Sequence, residues 1–473
     1  TARDDVARYI FERYEHVALL GAYNTFQYRA VVRELSKVFG LPKHEVDVLA
    51  SGRFDPAKLG EVERAVIRYS SVLRDFPNQI SIHACGIVIA DRPIHRTCAT
   101  FLPPKGFPTT QYDMVVAEDL DLHKFDILSQ RGLAKIKDAL DLIAHTDPSA
   151  QIDIHDMKRF KADERVQQLL READAIGCFY VESPAMRMLM RKLRVDDYLG
   201  LVAASSVIRP GVARSGMMRA YIERHRFPER RNDAHPVLLE IMPETYGVMV
   251  YQEDVIKVAH QFAGLDLGEA DVLRRGMSGK FRSREEFQKA RQAFFDKARS
   301  KGHPDDMVAE VWRQVESFAG YAFAKGHSAS FAVESYQSLF IKAYWPLEYM
   351  TACINNFGGF YRTEFYVHEA RLLGGRIAAP CVNTGGYTAR YTAETRTITL
   401  GFNLVKGVEG AAATAIERER HTNGPYRHLE DFVRRTGTTL EQLLTIIRIG
   451  GLRWTRRSKQ QLQWEAHFLL GHL

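Results

Sequence analysis

Lys124-Phe125-Asp126-Ile127-Leu128 is a short run in which polar and apolar side chains alternate, and from Ala134 onward the spacing becomes helical. Strand side chains point to opposite faces in turn, so Lys124 and Asp126 share one face while Phe125 and Ile127 take the other. A short strand region feeding a long helical tract predicts an α+β chain that is mostly helical. A lysine and an aspartate on one strand face need a reason, because buried charges are costly unless they are paired or bind metal. Two readings fit. The pair is an edge-strand ion pair facing solvent, or Asp126 is a metal ligand with Lys124 beside it to steady phosphate charge.

At 473 residues the chain is long enough for about three domains. Hydrophobic content of 45% and charged content of 26% are those of a globular protein. The formal net charge of +7 suggests a polyanionic partner without proving one. Five scattered cysteines, with no C-x-x-C pair, argue against zinc ribbons and a disulfide framework and fit a reducing cytoplasm. No signal peptide and no apolar run able to span a bilayer is legible. The chain starts at Thr1 inside a helical pattern, without an initiator methionine, and reads as a piece of something longer.

Asp4 and Asp5 suit the first turn of an N-terminal helix. Apolar spacing from Phe26 through Phe39 predicts a helix closed by Gly40 and Pro42, and residues 43 to 78 read as further short helices. Ile87-Val88-Ile89 is a strand run with His83 and Gly86 at its start, where His83 takes a structural reading. Pro103, Pro104 and Gly106 mark a loop before Thr109, Thr110, Gln111 and Asp113. Asp119 and Asp121 form a D-x-D pair with same-face spacing, so spacing alone makes them metal candidates as well.

Farther on, Arg274, Arg275 and Lys280 surround a glycine-containing turn. It is not a Walker loop: the first glycine of that motif falls on Arg274, and Phe281 replaces its final hydroxyl. An exposed basic helix end is one reading, and a triphosphate site built on arginine forks is the other. The run from Phe318 to Ser330 alternates aromatic and small residues and carries Lys325 and His327, which suits stacking with phosphate contact. Residues 387 to 402 alternate as a β-hairpin. Lys406-Gly407-Val408-Glu409-Gly410 then opens a helix, and a weaker repeat follows at Gly450-Gly451 with Arg453, Arg456 and Arg457. Glycine turns that open helices present backbone N–H groups to DNA phosphates, so the two read as tandem helix-hairpin-helix elements.

Eight stretches in order, SIHACGIVI, TQYDM, HKFDIL, VIRPGVARSGM, ETYGVMVYQE, ADVLRRGMSGK, FAGYAFAKGHSASFA and LVKGVEG, resemble the bacterial replicative C-family polymerases, the DNA polymerase III alpha subunits. The likeness runs from about Arg3 to about Leu473. It implies a polymerase-β-like palm, present in part, that is split by an inserted thumb and followed by large helical fingers and tandem helix-hairpin-helix elements. Matched motif by motif, residues 1–27 end the first palm segment, 28–77 form the thumb and 78–135 return to the palm. Residues 136–370 form the fingers, and 371–473 form the DNA-binding hairpin region.

The resemblance makes Asp126 similar to the third of three metal-binding aspartates and Lys124 similar to the palm lysine near the incoming nucleotide. Arg274, Arg275, Lys280, Lys325 and His327 match fingers motifs around the nucleotide. Lys406, Gly407, Gly410, Arg453, Arg456 and Arg457 fall to DNA contact. Asp119 and Asp121 match no family motif and become a solvated acidic turn. The implied reaction is template-directed nucleotidyl transfer from a deoxynucleoside triphosphate (dNTP) to a primer 3′-hydroxyl, assisted by two Mg²⁺ ions. The implied partners are primer-template DNA and, in the full-length protein, a sliding clamp and other replisome subunits.

The chain departs from the family in lacking the P-D-x-D-x-D-F type motif that supplies the other two aspartates. The expectation is therefore that this polypeptide alone does not polymerise DNA. Gln460 to Trp464 has only a passing likeness to a clamp-binding peptide, within a helical run. The competing reading is a catalytically silent module that grips duplex DNA; an unrelated metal-dependent nuclease has little support, for no second carboxylate cluster is present.

Overall fold

The computed structural model describes residues 2–209, 212, 216–277, 284–317 and 324–471. The chain divides into two compact units, residues 1–130 and 131–473. The helix Arg131–Thr146 begins the second unit as one piece.

The first unit opens with α1 (Ala2–Arg13), whose first turn carries Asp4 and Asp5 as expected. β1 (Val17–Thr25) follows; its first five residues are buried and its tip is exposed. This strand was not legible in the sequence, because Val17-Ala18-Leu19-Leu20 is a continuous apolar run without period. Helices α2 (Tyr28–Val38), α3 (Lys43–Ser51) and α4 (Glu61–Leu73) then bury Val32, Leu49, Ala50 and Val66 in a small core of their own. The chain returns as β2 (Pro77–Ile89), antiparallel to β1, so the three helices form an insertion between paired strands.

β3 (Thr100–Phe101), β4 (Thr109–Thr110) and β5 (Lys124–Asp126) complete a five-stranded sheet in the order β3-β4-β1-β2-β5. α5 (Met114–Asp119) lies between β4 and β5 and is capped by Asp113, whose carboxylate accepts the N–H groups of Val115 and Val116. One face of the sheet packs Ala18, Leu20 and Val88 against Ala117, and the other packs Val17, Leu19 and Ile87 against Ile10, Phe11 and Phe107. Gly21 lets β1 approach the 110–112 segment. A Cβ there would stand 2.4 Å from the Thr110 carbonyl oxygen and 2.8 Å from that of Tyr112.

The second unit is a helical body with one large core, which includes Phe160, Phe262, Phe294, Phe340 and Tyr349. The helix Lys325–Tyr344 runs through it and buries Tyr336, Leu339, Phe340 and Ile341. Lys342 is 1% exposed on this helix and pairs with Asp174 at 2.8 Å and Glu369 at 3.1 Å. Glu182 is also buried and accepts from the Gly177 N–H, the Phe360 N–H and the Tyr366 hydroxyl. Charges inside this core are thus hydrogen-bonded, as burial demands.

A small sheet follows, in the order β6 (Arg376–Ala378), β8 (Thr397–Thr399), β7 (Arg390–Thr392); β7 and β8 form the expected hairpin, and β6 pairs parallel to β8. The last part of the chain gathers Phe402, Val408, Ile416, Phe432, Ile446 and Leu462 into a separate core. Among the described residues no helix is long and apolar enough to cross a membrane.

Candidate functional site

β5 pairs antiparallel with β2 at the edge of its sheet, with Gly86 opposite Asp126 and Val88 opposite Lys124. Same-face spacing does what alternation requires: Lys124 Nζ lies 2.6 Å from both carboxylate oxygens of Asp126. The edge-strand ion pair therefore exists, and it leaves the Asp126 carboxylate open to solvent on its outer side, with the side chain 42% exposed.

The β1–β2 register carries the rest of the site. Leu19 faces Ile87 while Gly21 faces Ile82, so residues 83 to 86 bulge out of the ladder opposite a single residue of β1. Within the bulge, His83 Nδ1 accepts the N–H of Gly86 at 2.9 Å and that of Cys85 at 3.3 Å. In this arrangement that nitrogen ties the bulge together, the structural role expected of His83. A Cβ on Gly86 would lie 3.0 Å from His83 Nδ1 and 3.1 Å from Leu20, which fixes glycine at the closing position.

The bulge turns Cys85 towards β5, where its Sγ donates to Asp126 Oδ1 at 3.1 Å. Arg3 of α1 donates to the Ala84 carbonyl behind it. The Lys124 ammonium and then the Cys85 thiol hold the Asp126 carboxyl below the usual carboxylate range, while burial and the same carboxylate push the thiol up. A carboxylate biased in this way towards its ionised form offers hard oxygen donors of the kind that divalent cations take. Asp119 and Asp121 are exposed at and beyond the end of α5, and Asp121 takes a left-handed φ of 57°. His83, Cys85 and Asp126 form a cluster of metal-ligating atoms that includes neither of them.

In the second unit Arg274 and Arg275 sit within the helix Leu267–Met277, not in the turn expected from Gly276. Gly276 is helical, and a Cβ there would stand 2.3 Å from the Phe287 ring, so it serves packing against the next helix. Asp271, one turn back, accepts from Arg274 Nε at 2.7 Å and lies 3.0 Å from Arg275 Nε, which orients both guanidinium groups on one helix face. Lys280 lies outside the described residues.

Lys325 and His327 stand in the first turn of Lys325–Tyr344, a helix whose N-cap residue, Ala324, offers no side-chain cap. Glu253 supplies one instead: its carboxylate accepts the Lys325 N–H at 3.0 and 3.2 Å. The Lys325 ammonium pairs with Glu244 and stands 5.3 Å over the Tyr251 ring. That pairing draws Glu244 below the usual carboxylate range. The His327 ring packs 3.9 Å from that of Phe331, and burial followed by the nearby Arg209 charge lowers its pKa. These residues therefore form a carboxylate-tethered cationic corner. Sequence reasoning missed its anionic members, Glu244 and Glu253, although they bracket the ETYGVMVYQE stretch.

The two glycine hairpins differ. Gly407 turns at φ 91°, and the helix Gly410–Asn423 that it feeds has no side-chain cap hydrogen bond at Glu409. Lys406 is exposed beside it. The second hairpin turns at Gly450, φ 79°, after the helix Leu440–Arg448. Its outgoing helix, Lys459–Leu470, is closed by a capping box from Ser458 and Gln461. Arg453 gives Nη1 to the carbonyls of Pro380 and Gly450, and Arg457 pairs with Glu465. Arg456 remains exposed on a left-handed residue, φ 59°. The first hairpin thus leaves its helix start without a side-chain cap, and the second is largely occupied with its own structure.

Three family models match this chain. Residues 1–129 match the bacterial DNA polymerase III alpha NTPase domain, and residues 132–302 match the finger domain of the same subunit. Residues 374–462 match the helix-hairpin-helix motif. The chain belongs to the bacterial DNA polymerase III alpha family. Among similar proteins, the DNA polymerase III subunit alpha of Thermus aquaticus is 32% identical over 464 residues, 92% of this chain and 37% of the relative. An error-prone DNA polymerase of Symbiobacterium thermophilum is 30% identical over 99% of this chain and 46% of its own length. The Aquifex aeolicus DNA polymerase III subunit alpha is 28% identical over 97% and 43%. This alpha-family chain therefore spans less than half the length of these curated relatives.

Proposed function

We propose that this chain is the part of a template-directed DNA polymerase that holds the incoming nucleotide and the duplex. The observation that carries the reading is Asp126, an ionised, solvent-facing carboxylate on an edge strand within the segment matching the NTPase domain. Under this reading residues 1–27 and 78–135 are palm, 28–77 thumb, 136–370 fingers and 371–473 the hairpin region. The helical insertion between β1 and β2 supports the thumb assignment.

Asp126 would hold Mg²⁺, which when bound activates the primer hydroxyl and steadies the leaving oxygens of the triphosphate. The donor set fits one hard-cation ligand; among the described residues the ligating group at Asp126 contains no second carboxylate. Lys124 keeps Asp126 ionised and offers its ammonium to phosphate charge when the ion takes over the carboxylate. Arg274 and Arg275, oriented by Asp271, bind triphosphate oxygens. Lys325 and His327 add a cation and an imidazole ring, packed against Phe331, for the nucleotide. Lys406, Gly407, Gly410 and Arg456 contact DNA phosphates without reading sequence. Such a protein works in the cytoplasm with primer-template DNA, and with a sliding clamp and other replisome subunits in its full-length form.

Binding of a fluorescent dNTP in the presence of Mg²⁺ tests the triphosphate assignment. The double variant Arg274→Glu, Arg275→Glu should bind at least tenfold more weakly, because two charge-assisted contacts become repulsions. Unchanged affinity would remove both arginines from the site.

A further inference from the structure

The bulge that sets Asp126 also assembles a second kind of donor set around it. His83 Nδ1, Cys85 Sγ and a carboxylate oxygen of Asp126 all lie within 4.8 Å of one another. Sγ is 3.1 Å from Asp126 Oδ1 and 3.8 Å from His83 Nδ1. Tetrahedral zinc, with bonds of about 2.3 Å to sulfur and about 2.0–2.1 Å to nitrogen or oxygen, holds its ligand atoms roughly 3.5 Å apart. Sγ already stands near that spacing from both partners, and Cys85 and His83 are only partly exposed. Imidazole, thiolate and carboxylate together are the ligands of a borderline-soft ion, whereas Mg²⁺ prefers oxygen alone.

We propose that His83, Cys85 and Asp126 form a site for a thiophilic divalent cation of the zinc class, distinct in chemistry from the hard-ion role given to Asp126 above. Binding forms one metal–sulfur, one metal–nitrogen and one metal–oxygen bond. The incoming hydrated ion releases its other waters to solvent and retains one in the fourth position, the Cys85 Sγ proton passes to solvent, and the Lys124 ammonium leaves the carboxylate. His83 Nδ1 exchanges its two amide hydrogen bonds for the metal. The other four cysteines do not belong to such a cluster among the described residues. If the proposed function holds, an ion seated here withdraws Asp126 from Mg²⁺ and acts as an inhibitor.

Co²⁺ added to the purified chain, without DNA or nucleotide, reads the site directly through the near-ultraviolet sulfur-to-cobalt charge-transfer band. The expected result is one equivalent of cobalt per chain with that band, retained in Cys98→Ser and in a large excess of Mg²⁺. The band should vanish in both Cys85→Ser and Cys85→Ala, and cobalt affinity should fall at least tenfold in His83→Asn and in Asp126→Asn. Circular dichroism confirms the fold of each variant. Absence of the band in the unaltered chain, its survival in a folded Cys85 variant, or its loss to excess Mg²⁺ would overturn the proposal. Because neither nucleotide nor DNA is present, failure here leaves the polymerase reading standing, and failure of nucleotide binding leaves this site standing.

Discussion

At the scale of single residues, Gly21, Glu334 and Asp126 each make a distinct contribution to stability. Gly21 lies where a side chain would meet two backbone carbonyls that cannot rotate away. Gly21→Ala should therefore destabilise the first unit by roughly 1–3 kcal/mol, the usual cost of forcing atoms into packed space, read as a lower urea midpoint. Glu334, half-buried on the helix Lys325–Tyr344, has its pKa pushed up to about 7 by burial. A carboxyl with a raised folded pKa withholds its proton loss while the unfolded chain ionises near 4.5. Stability is therefore lost as pH rises from about 4.5 to about 7 and stays lower above that. Glu334→Gln should raise the melting temperature at pH 8 and change it little at pH 4.5, when melts at the two values are compared. Asp126 runs the other way. Its lowered carboxyl contributes stability that is present above the ordinary carboxylate range and is lost as pH falls through its own depressed value.

At the scale of elements, the helix Lys325–Tyr344 organises the second unit through one buried cation. Lys342 reaches Asp174 and Glu369 from inside the core. Lys342→Met should cost roughly 3 kcal/mol, because it leaves Glu369 buried without its counter-ion, and adding Glu369→Gln should recover part of the loss in a double-mutant cycle. The bulge of residues 83–86 shows what was and was not legible in the sequence. Lys124 and Asp126 could be read as same-face neighbours, since strand period is a local property. Cys85 could not be tied to Asp126, because their meeting depends on β2 pairing with β5 in one register and on a four-residue bulge against β1. β1 itself was missed because a buried apolar run has no period to read. The glycine at 276 was read as a turn and is helical instead, since the ring of Phe287 needs its missing side chain. The two glycine hairpins were legible from motif alone; that only the first leaves its helix start uncapped emerged from the side-chain geometry.

At the scale of the whole molecule, the proposed function, with a net charge of +7 and a hairpin helix without a side-chain cap, requires phosphate contacts that depend on salt and little on sequence. The logarithm of duplex affinity should fall linearly with the logarithm of salt concentration. Lys406→Glu with Arg456→Glu should flatten that slope by about 1–2, since each lost phosphate contact removes about 0.9. The most direct test of the central claim asks whether nucleotide and template are recognised together. A primer-template ending in a dideoxynucleotide is bound to this chain with Mg²⁺, and each dNTP is added in turn while DNA retention is measured by fluorescence anisotropy. The expected result is that only the dNTP complementary to the templating base tightens DNA binding, by tenfold or more, and that Asp126→Asn abolishes the gain. Equal retention with all four nucleotides, or a gain that survives Asp126→Asn, would contradict a templated nucleotide site built on that carboxylate.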